Sequence, residues 1–119
     1  MILVLDDDAR IRRFMRRALA SLSYKSVGTG RIEVLARLCF RKRPKAVISD
    51  ARVGAQDGIR ACMEIKRLWP SLPVIIMSGD PEQVRRARQT GFEEVLQKPF
   101  DLAELDCALR RIRGRESHI

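Results

Sequence analysis

Residues 2–8 read Ile2-Leu3-Val4-Leu5-Asp6-Asp7-Asp8. Four apolar residues stop abruptly at three carboxylic acids. A short apolar run bounded in this way reads as a strand buried on both faces. The period then changes. Ile11, Phe14, Met15, Ala18, Leu19 and Leu22 recur at helical spacing with arginines between them, and Asp8 stands where a helix N-cap belongs. A buried strand that passes into an amphipathic helix is the first β–α unit of a chain.

The alternation repeats outward from there. Residues 24–29 read as a second, weaker strand. Residues 32–41 read as a helix with Val34, Leu35, Leu38 and Cys39 inward. Residues 46–49 form a third strand, and a helix over 59–68 ends before Pro70. Residues 73–77 are the fourth and most apolar strand, followed by a helix over 81–90 that Gly91 stops. A short fifth strand covers 94–97. The last helix covers 101–113, with Asp101 as its cap and Leu102, Leu105, Ala108, Leu109 and Ile112 inward. Five β–α units in 119 residues predict an α/β fold: a doubly wound, five-stranded parallel sheet with helices on both faces.

Composition agrees with one soluble globular domain. Hydrophobic residues are 45% and charged residues 33%, too apolar for disorder. The longest apolar runs fall far short of the roughly 20 residues a membrane span needs, so membrane insertion is not expected. The acids at 6–8 interrupt the N-terminal apolar stretch too early for a signal peptide. Cys39, Cys62 and Cys107 are odd in number and lack a CxxC spacing. That argues against a disulfide framework or zinc knuckle and suits a reducing cytoplasm. The expectation is one domain over 1–119, with a core over 1–113, a polar tail over 114–119, no output domain and no role for the lone His118.

The net charge of +9 is unevenly spread. Residues 9–49 hold 12 basic residues against one acid, Glu33, whereas residues 50–119 hold 12 against 11. Arg10, Arg12, Arg13, Arg16 and Arg17 dominate the excess. A cationic face steers anionic partners. Specific nucleic-acid binding is not expected, because no such motif is present and aromatics are only 5%.

In an open α/β sheet, ligands bind beyond the carboxyl ends of the strands. There the sequence sets Asp6 and Asp7 after strand one, Asp50 after strand three, Ser78 and Gly79 after strand four, and Lys98 and Pro99 after strand five. Crowded carboxylates need a cation, and an oxygen-only set suits Mg²⁺ or Mn²⁺. A hard cation beside a carboxylate nucleophile, an ammonium and a hydroxyl is suited to phosphoryl transfer, with an acyl phosphate as product.

Those residues carry a resemblance. LVLDDD, ISD with Asp57-Gly58 shortly after it, IIMSG and QKPF follow one another in the order of the receiver domain of bacterial two-component response regulators. Each motif alone is common. Their order, each at an expected strand end, resembles that family from residue 1 to about residue 113. The resemblance implies a flavodoxin-like fold with strand order 2-1-3-4-5. It implies that Asp50 is the phosphoacceptor. It implies that Asp6, Asp7, Asp50 and the backbone carbonyl of Arg52 hold Mg²⁺, with Asp7 a direct ligand. Ser78 and Lys98 would contact the phosphoryl group, and Pro99 would follow a cis peptide bond. A histidine kinase or histidine phosphotransfer protein would be the donor. The chain would catalyse only its own phosphorylation and dephosphorylation. The face made by the fourth helix, fifth strand and fifth helix would switch affinity for a protein effector, or pair with a second copy.

Three departures from the family pattern stand out. Val95 occupies a position where receivers commonly carry an aromatic, so the usual ring rotation has no ring. Val53-Gly54-Ala55 replaces Met-Pro-Gly after the phosphoacceptor, and glycine there is expected to loosen the loop. Arg52 and Asp80 occupy positions that tune phosphoryl lifetime. Arg52 is expected either to pair with Asp80 or to reach the phosphoryl oxygens. Arg12, Arg13, Arg16 and Arg17 are expected to dock an acidic surface of the donor. The competing reading is a pseudo-receiver, an interaction module without phosphorylation. Intact Asp6, Asp7, Asp50, Ser78 and Lys98 argue against it, whereas Val95 and Gly54 argue for it. A related metal-dependent phosphatase usually has a second Asp just after the nucleophile, where this chain has Ala51 and Arg52.

Overall fold

Alternation of side chains along each strand divides the core in two. The computed structural model describes residues 1–92 and 94–116. Its main sheet comprises β1 (Ile2–Leu5), β2 (Ser26–Thr29), β3 (Ala46–Asp50), β4 (Val74–Ser78) and β5 (Glu94–Gln97). The helices are α1 (Ala9–Ser21), α2 (Leu35–Lys42), α3 (Gly58–Leu68), α4 (Pro81–Thr90) and α5 (Leu102–Glu116). All five strands are parallel, in the order β2-β1-β3-β4-β5, as expected.

Ile2, Val4, Ile48, Ile75 and Met77 point to one face, where α1 supplies Met15 and Leu19 and α5 supplies Leu105, Leu109 and Ile112. Leu3, Leu5, Val47 and Ile76 point to the other, against Leu35 and Cys39 of α2, Ile59, Cys62 and Ile65 of α3 and Ala87 of α4. Each fully buried aliphatic side chain contributes about 2 kcal/mol of transfer free energy. Burial on both faces is why the strands read as continuous apolar runs.

The caps follow the sequence. The Asp8 carboxylate accepts from the Arg10 amide at 2.8 Å. Asp101 and Glu104 form a reciprocal capping box: the Glu104 amide donates to Asp101 Oδ1 at 2.8 Å, and the Asp101 amide donates to Glu104 Oε1 at 3.4 Å.

Several details differ from the expectation. Ile32–Val34 makes a 3₁₀ turn before α2, where two β-branched residues favour helix weakly. Residues 24 and 25 lie outside β2. Phe14 is 48% exposed at the rim of the α1 stripe, its ring 6.4 Å from that of Phe100. Leu102, at the very start of α5, is 44% exposed rather than inward. The helix expected to stop at residue 113 continues to Glu116. The rest of the expected tail, including His118, lies outside the described residues. No described helix is long and apolar enough to cross a membrane.

Candidate functional site

Strand order reverses between β1 and β3, since β2 lies on one side of β1 while β4 and β5 extend beyond β3. The carboxyl ends of β1 and β3 therefore flank the crevice where doubly wound sheets bind ligands. Asp6 and Asp7 leave β1 there, and Asp50 ends β3. Carboxylate oxygens of Asp6, Asp7 and Asp50 lie within 4.8 Å of one another. From the far side Lys98, just after β5, sets its Nζ 3.0 Å from both Asp6 Oδ2 and Asp50 Oδ2.

Burial and charge set the electrostatics of this cluster. Asp6 is 1% exposed, and desolvation raises its carboxyl pKa above the ordinary range. The Asp8 amide, which donates to Oδ1 at 2.9 Å, and Lys98 oppose that rise. Burial alone would depress the Lys98 pKa, but its bonds to Asp50 and Asp6 outweigh burial and raise it. Lys98 is thus held charged between two acids and neutralises part of their repulsion.

The backbone of Asp50 is fixed from several directions. The buried Ser49 hydroxyl donates to the Asp50 carbonyl at 2.9 Å, and the Arg52 amide donates to Asp50 Oδ1 at 3.2 Å. Gly58, the first residue of α3, passes so close that a Cβ there would lie 2.1 Å from the Asp50 carbonyl oxygen. The Gly58 amide donates to the Ala51 carbonyl at 2.8 Å. Asp57-Gly58 thus seats α3 against the central acid.

Between Asp50 and α3, Arg52–Val53 pairs antiparallel with Gln56–Asp57. Gly54 lies in the two-residue turn with φ +64°, a conformation proline cannot adopt. Glycine here shapes a hydrogen-bonded ribbon. Asp57 then caps α3, accepting from the Arg60 amide at 3.1 Å. It also receives both terminal nitrogens of Arg86 from α4, at 3.0 and 2.5 Å. The Arg86 guanidinium pulls the Asp57 carboxyl pKa below its usual range. Asp57 was part of the motif order, but its pairing with Arg86 was not legible, because the two lie 29 residues apart on different elements.

The other expected residues sort as follows. Ser78 is 5% exposed at the end of β4, and its Oγ accepts from the Asp80 amide at 3.0 Å. Gly79 follows it, exposed, at the rim. The Lys98–Pro99 peptide bond is cis. Val95 lies beside Ile76 across the β4–β5 pair and packs, partly buried, on the α2–α4 side of the sheet.

The Arg52–Asp80 pair is not formed. Asp80 caps α4, accepting from the Glu82 amide at 3.0 Å, and Arg52 is exposed with no ion pair among the described residues. Arg13, Arg16 and Arg17 are exposed on α1, but Arg12 is not free for docking. Its Nη1 donates to the Asp6 carbonyl at 2.6 Å, and its stem lies over Gly28, where a Cβ would meet Arg12 Cδ at 3.2 Å. Buried Cys62 and Cys39 have thiol pKa values pushed up by desolvation, to about 12 and about 11, and act as core residues.

Known proteins resemble this chain in sequence and fold. The chain is 38% identical over 115 residues to the DNA-binding transcriptional regulator NtrC of Salmonella typhimurium, covering 93% of this chain but 24% of that protein. It is 30% identical over 119 residues to the response regulator MprA of a Mycobacterium species, covering 98% of this chain and 51% of that protein. It thus spans about a quarter to a half of these relatives. Among solved structures, the receiver domain of NtrX from Brucella abortus matches with a TM-score of 0.84 at 28% identity, covering 94% of this chain and 97% of that one. The receiver domain of sensor histidine kinase PA1611 from Pseudomonas aeruginosa, solved with magnesium in its active-site cleft, matches with a TM-score of 0.84 at 29% identity. It covers 95% of this chain and 96% of that one. The family model for the response regulator receiver domain matches residues 2–110, and the chain belongs to that family.

Proposed function

We propose that Asp50 accepts a phosphoryl group from a phosphohistidine on a histidine kinase or histidine phosphotransfer protein in the cytoplasm. The observation that carries this reading is Lys98 Nζ at 3.0 Å from both Asp6 and Asp50, with Asp7 in the same cluster. In the transfer, a carboxylate oxygen of Asp50 bonds to phosphorus. The bond from phosphorus to the donor imidazole nitrogen breaks, and its electron pair stays on that nitrogen. The product is an acyl phosphate.

The donor set is oxygen-only and anionic, which fits Mg²⁺ or Mn²⁺. Asp6, Asp7, Asp50 and the Arg52 carbonyl would hold it. When bound, the cation neutralises charge on the phosphoryl oxygens. The magnesium in the PA1611 receiver cleft supports this assignment. Lys98 exchanges one of its two carboxylate partners for a phosphoryl oxygen. The Ser78 hydroxyl turns from the Asp80 amide to donate to another. That displaces the loop leading into α4 and alters the face made by α4, β5 and α5, where an effector binds. Val95 supplies no ring to the change, so the signal passes through the β4–α4 loop. The unpaired Arg52 guanidinium reaches the phosphoryl oxygens and hinders the hydrolytic water. Arg52→Ala is therefore expected to speed dephosphorylation, and an unchanged rate contradicts that role.

The test is transfer from a phosphorylated histidine phosphotransfer protein with Mg²⁺ present or chelated. The expected product is a hydroxylamine-labile acyl phosphate that forms only with Mg²⁺ and is absent from Asp50→Asn. Labelling of Asp50→Asn at the wild-type rate contradicts the assignment.

A further inference from the structure

The pole of the sheet opposite the acidic site carries a second surface. At the amino ends of β3 and β4, a groove of about 580 Å³ runs between the end of α2 and the segment joining α3 to β4. Its lining is apolar where it matters. Phe40 is 69% exposed and Leu68 61% exposed, the two most exposed large hydrophobic residues described, and both line the groove beside Trp69 and Leu72. Exposed apolar side chains gathered in one concavity mark a binding surface.

The walls are held in place without a partner. Lys66 Nζ donates to the carbonyls of Pro70 and Leu72 at 3.0 and 2.9 Å. The Leu72 amide donates to the Trp69 carbonyl at 3.0 Å, and the Lys45 amide to the Met1 carbonyl at 2.8 Å. A preformed groove spares a ligand the cost of ordering it.

The rim has one sign of charge. Arg43 and Lys45 line the groove, Arg41 and Lys42 precede them on α2, and no acid is among the lining residues. Among the described residues, none of these four cations has a carboxylate within 4.0 Å. They are uncompensated and focus a positive potential on the apolar floor.

We propose that this groove docks an acidic segment of a partner protein. An aromatic or aliphatic side chain of the partner inserts beside Phe40 and Leu68, and its carboxylates pair with Arg43 and Lys45. A nucleic-acid backbone would use the cations but leave the apolar floor exposed. A flat bilayer would not fill a concavity.

The probe is a displayed library of random peptides selected on the full chain, followed by titration of the selected peptides. Leu68→Gln and Lys45→Glu change exposed side chains far from Asp50, and labelling of Asp50 by acetyl phosphate checks that both variants fold. The expected peptides are acidic with an aromatic or aliphatic anchor, shift amide resonances lining the groove, and lose about tenfold in affinity to either variant. Neutral or basic winners, wild-type affinity for either variant, or no selected peptide would each overturn the proposal. So would tighter binding of phosphatidylserine vesicles or of a single-stranded DNA oligonucleotide to the same face.

Discussion

Gly58 shows how much one missing side chain can decide. Its Cα lies against the Asp50 carbonyl, and an added methyl would sit 2.1 Å from that oxygen, so backbone must move. Gly58→Ala is expected to cost about 3 kcal/mol, read by urea denaturation, and to slow labelling of Asp50. A variant as stable as wild type contradicts the close approach. Lys98 is the electrostatic counterpart. Lys98→Ala leaves Asp6, 1% exposed, and Asp50 facing each other without a counter-charge. The expected loss is about 2 kcal/mol without divalent ions, with part recovered on adding Mg²⁺. A loss that Mg²⁺ does not change counts against a shared cation site. Asp6, Asp7, Asp50, Ser78 and Lys98 were legible in sequence because each acid, hydroxyl or ammonium directly follows an apolar strand. Gly58 and Arg12 were not. Their importance lies in backbone approached from another element, and no local pattern records that.

Among the elements, α4 is tied to the segment beside Asp50 by the Asp57–Arg86 pair. The carboxylate does two jobs, capping α3 and bridging to α4. Asp57→Asn keeps much of the cap but loses the charge. At neutral pH it is expected to cost about 1 kcal/mol, since both side chains are partly exposed and solvent screens the pair. The Asp57 pKa is depressed on folding, so its contribution is complete above the ordinary aspartate range. It is lost as pH falls through the lower folded value. The stability gap between wild type and Asp57→Asn should therefore close in acid, and a gap that widens there contradicts the pairing. Gly54 acts on the same segment. Gly54→Pro is expected to break the ribbon, because proline fixes φ near −65° while the turn needs +64°. The elements themselves were read closely from periodicity. The departures lie at ends, where Ile32–Val34 tightens to a 3₁₀ turn and Leu102 begins a helix too early to reach the core. The ribbon escaped notice because two-residue strands leave no period to detect.

Across the whole molecule, charge is sorted by place. The acids of the site lie at the carboxyl edge of the sheet, with exposed Arg13, Arg16 and Arg17 on the neighbouring α1. If α1 steers the donor, Arg13→Glu with Arg16→Glu slows transfer from a protein donor, most at low salt, and spares acetyl phosphate. Equal slowing of both donors contradicts docking there. The strand order was legible only through the family resemblance, because periodicity gives strands and helices but not their neighbours. The chemistry proposed for the carboxyl edge requires one acid, Asp50, to receive the phosphoryl group. The most direct measurement is intact mass after incubation with acetyl phosphate, with and without Mg²⁺, for wild type and Asp50→Ala. One added phosphoryl group, dependent on Mg²⁺ and absent from Asp50→Ala, is the expected result. No added group, under conditions that label an ordinary receiver, would contradict it and leave the fold serving protein interaction alone.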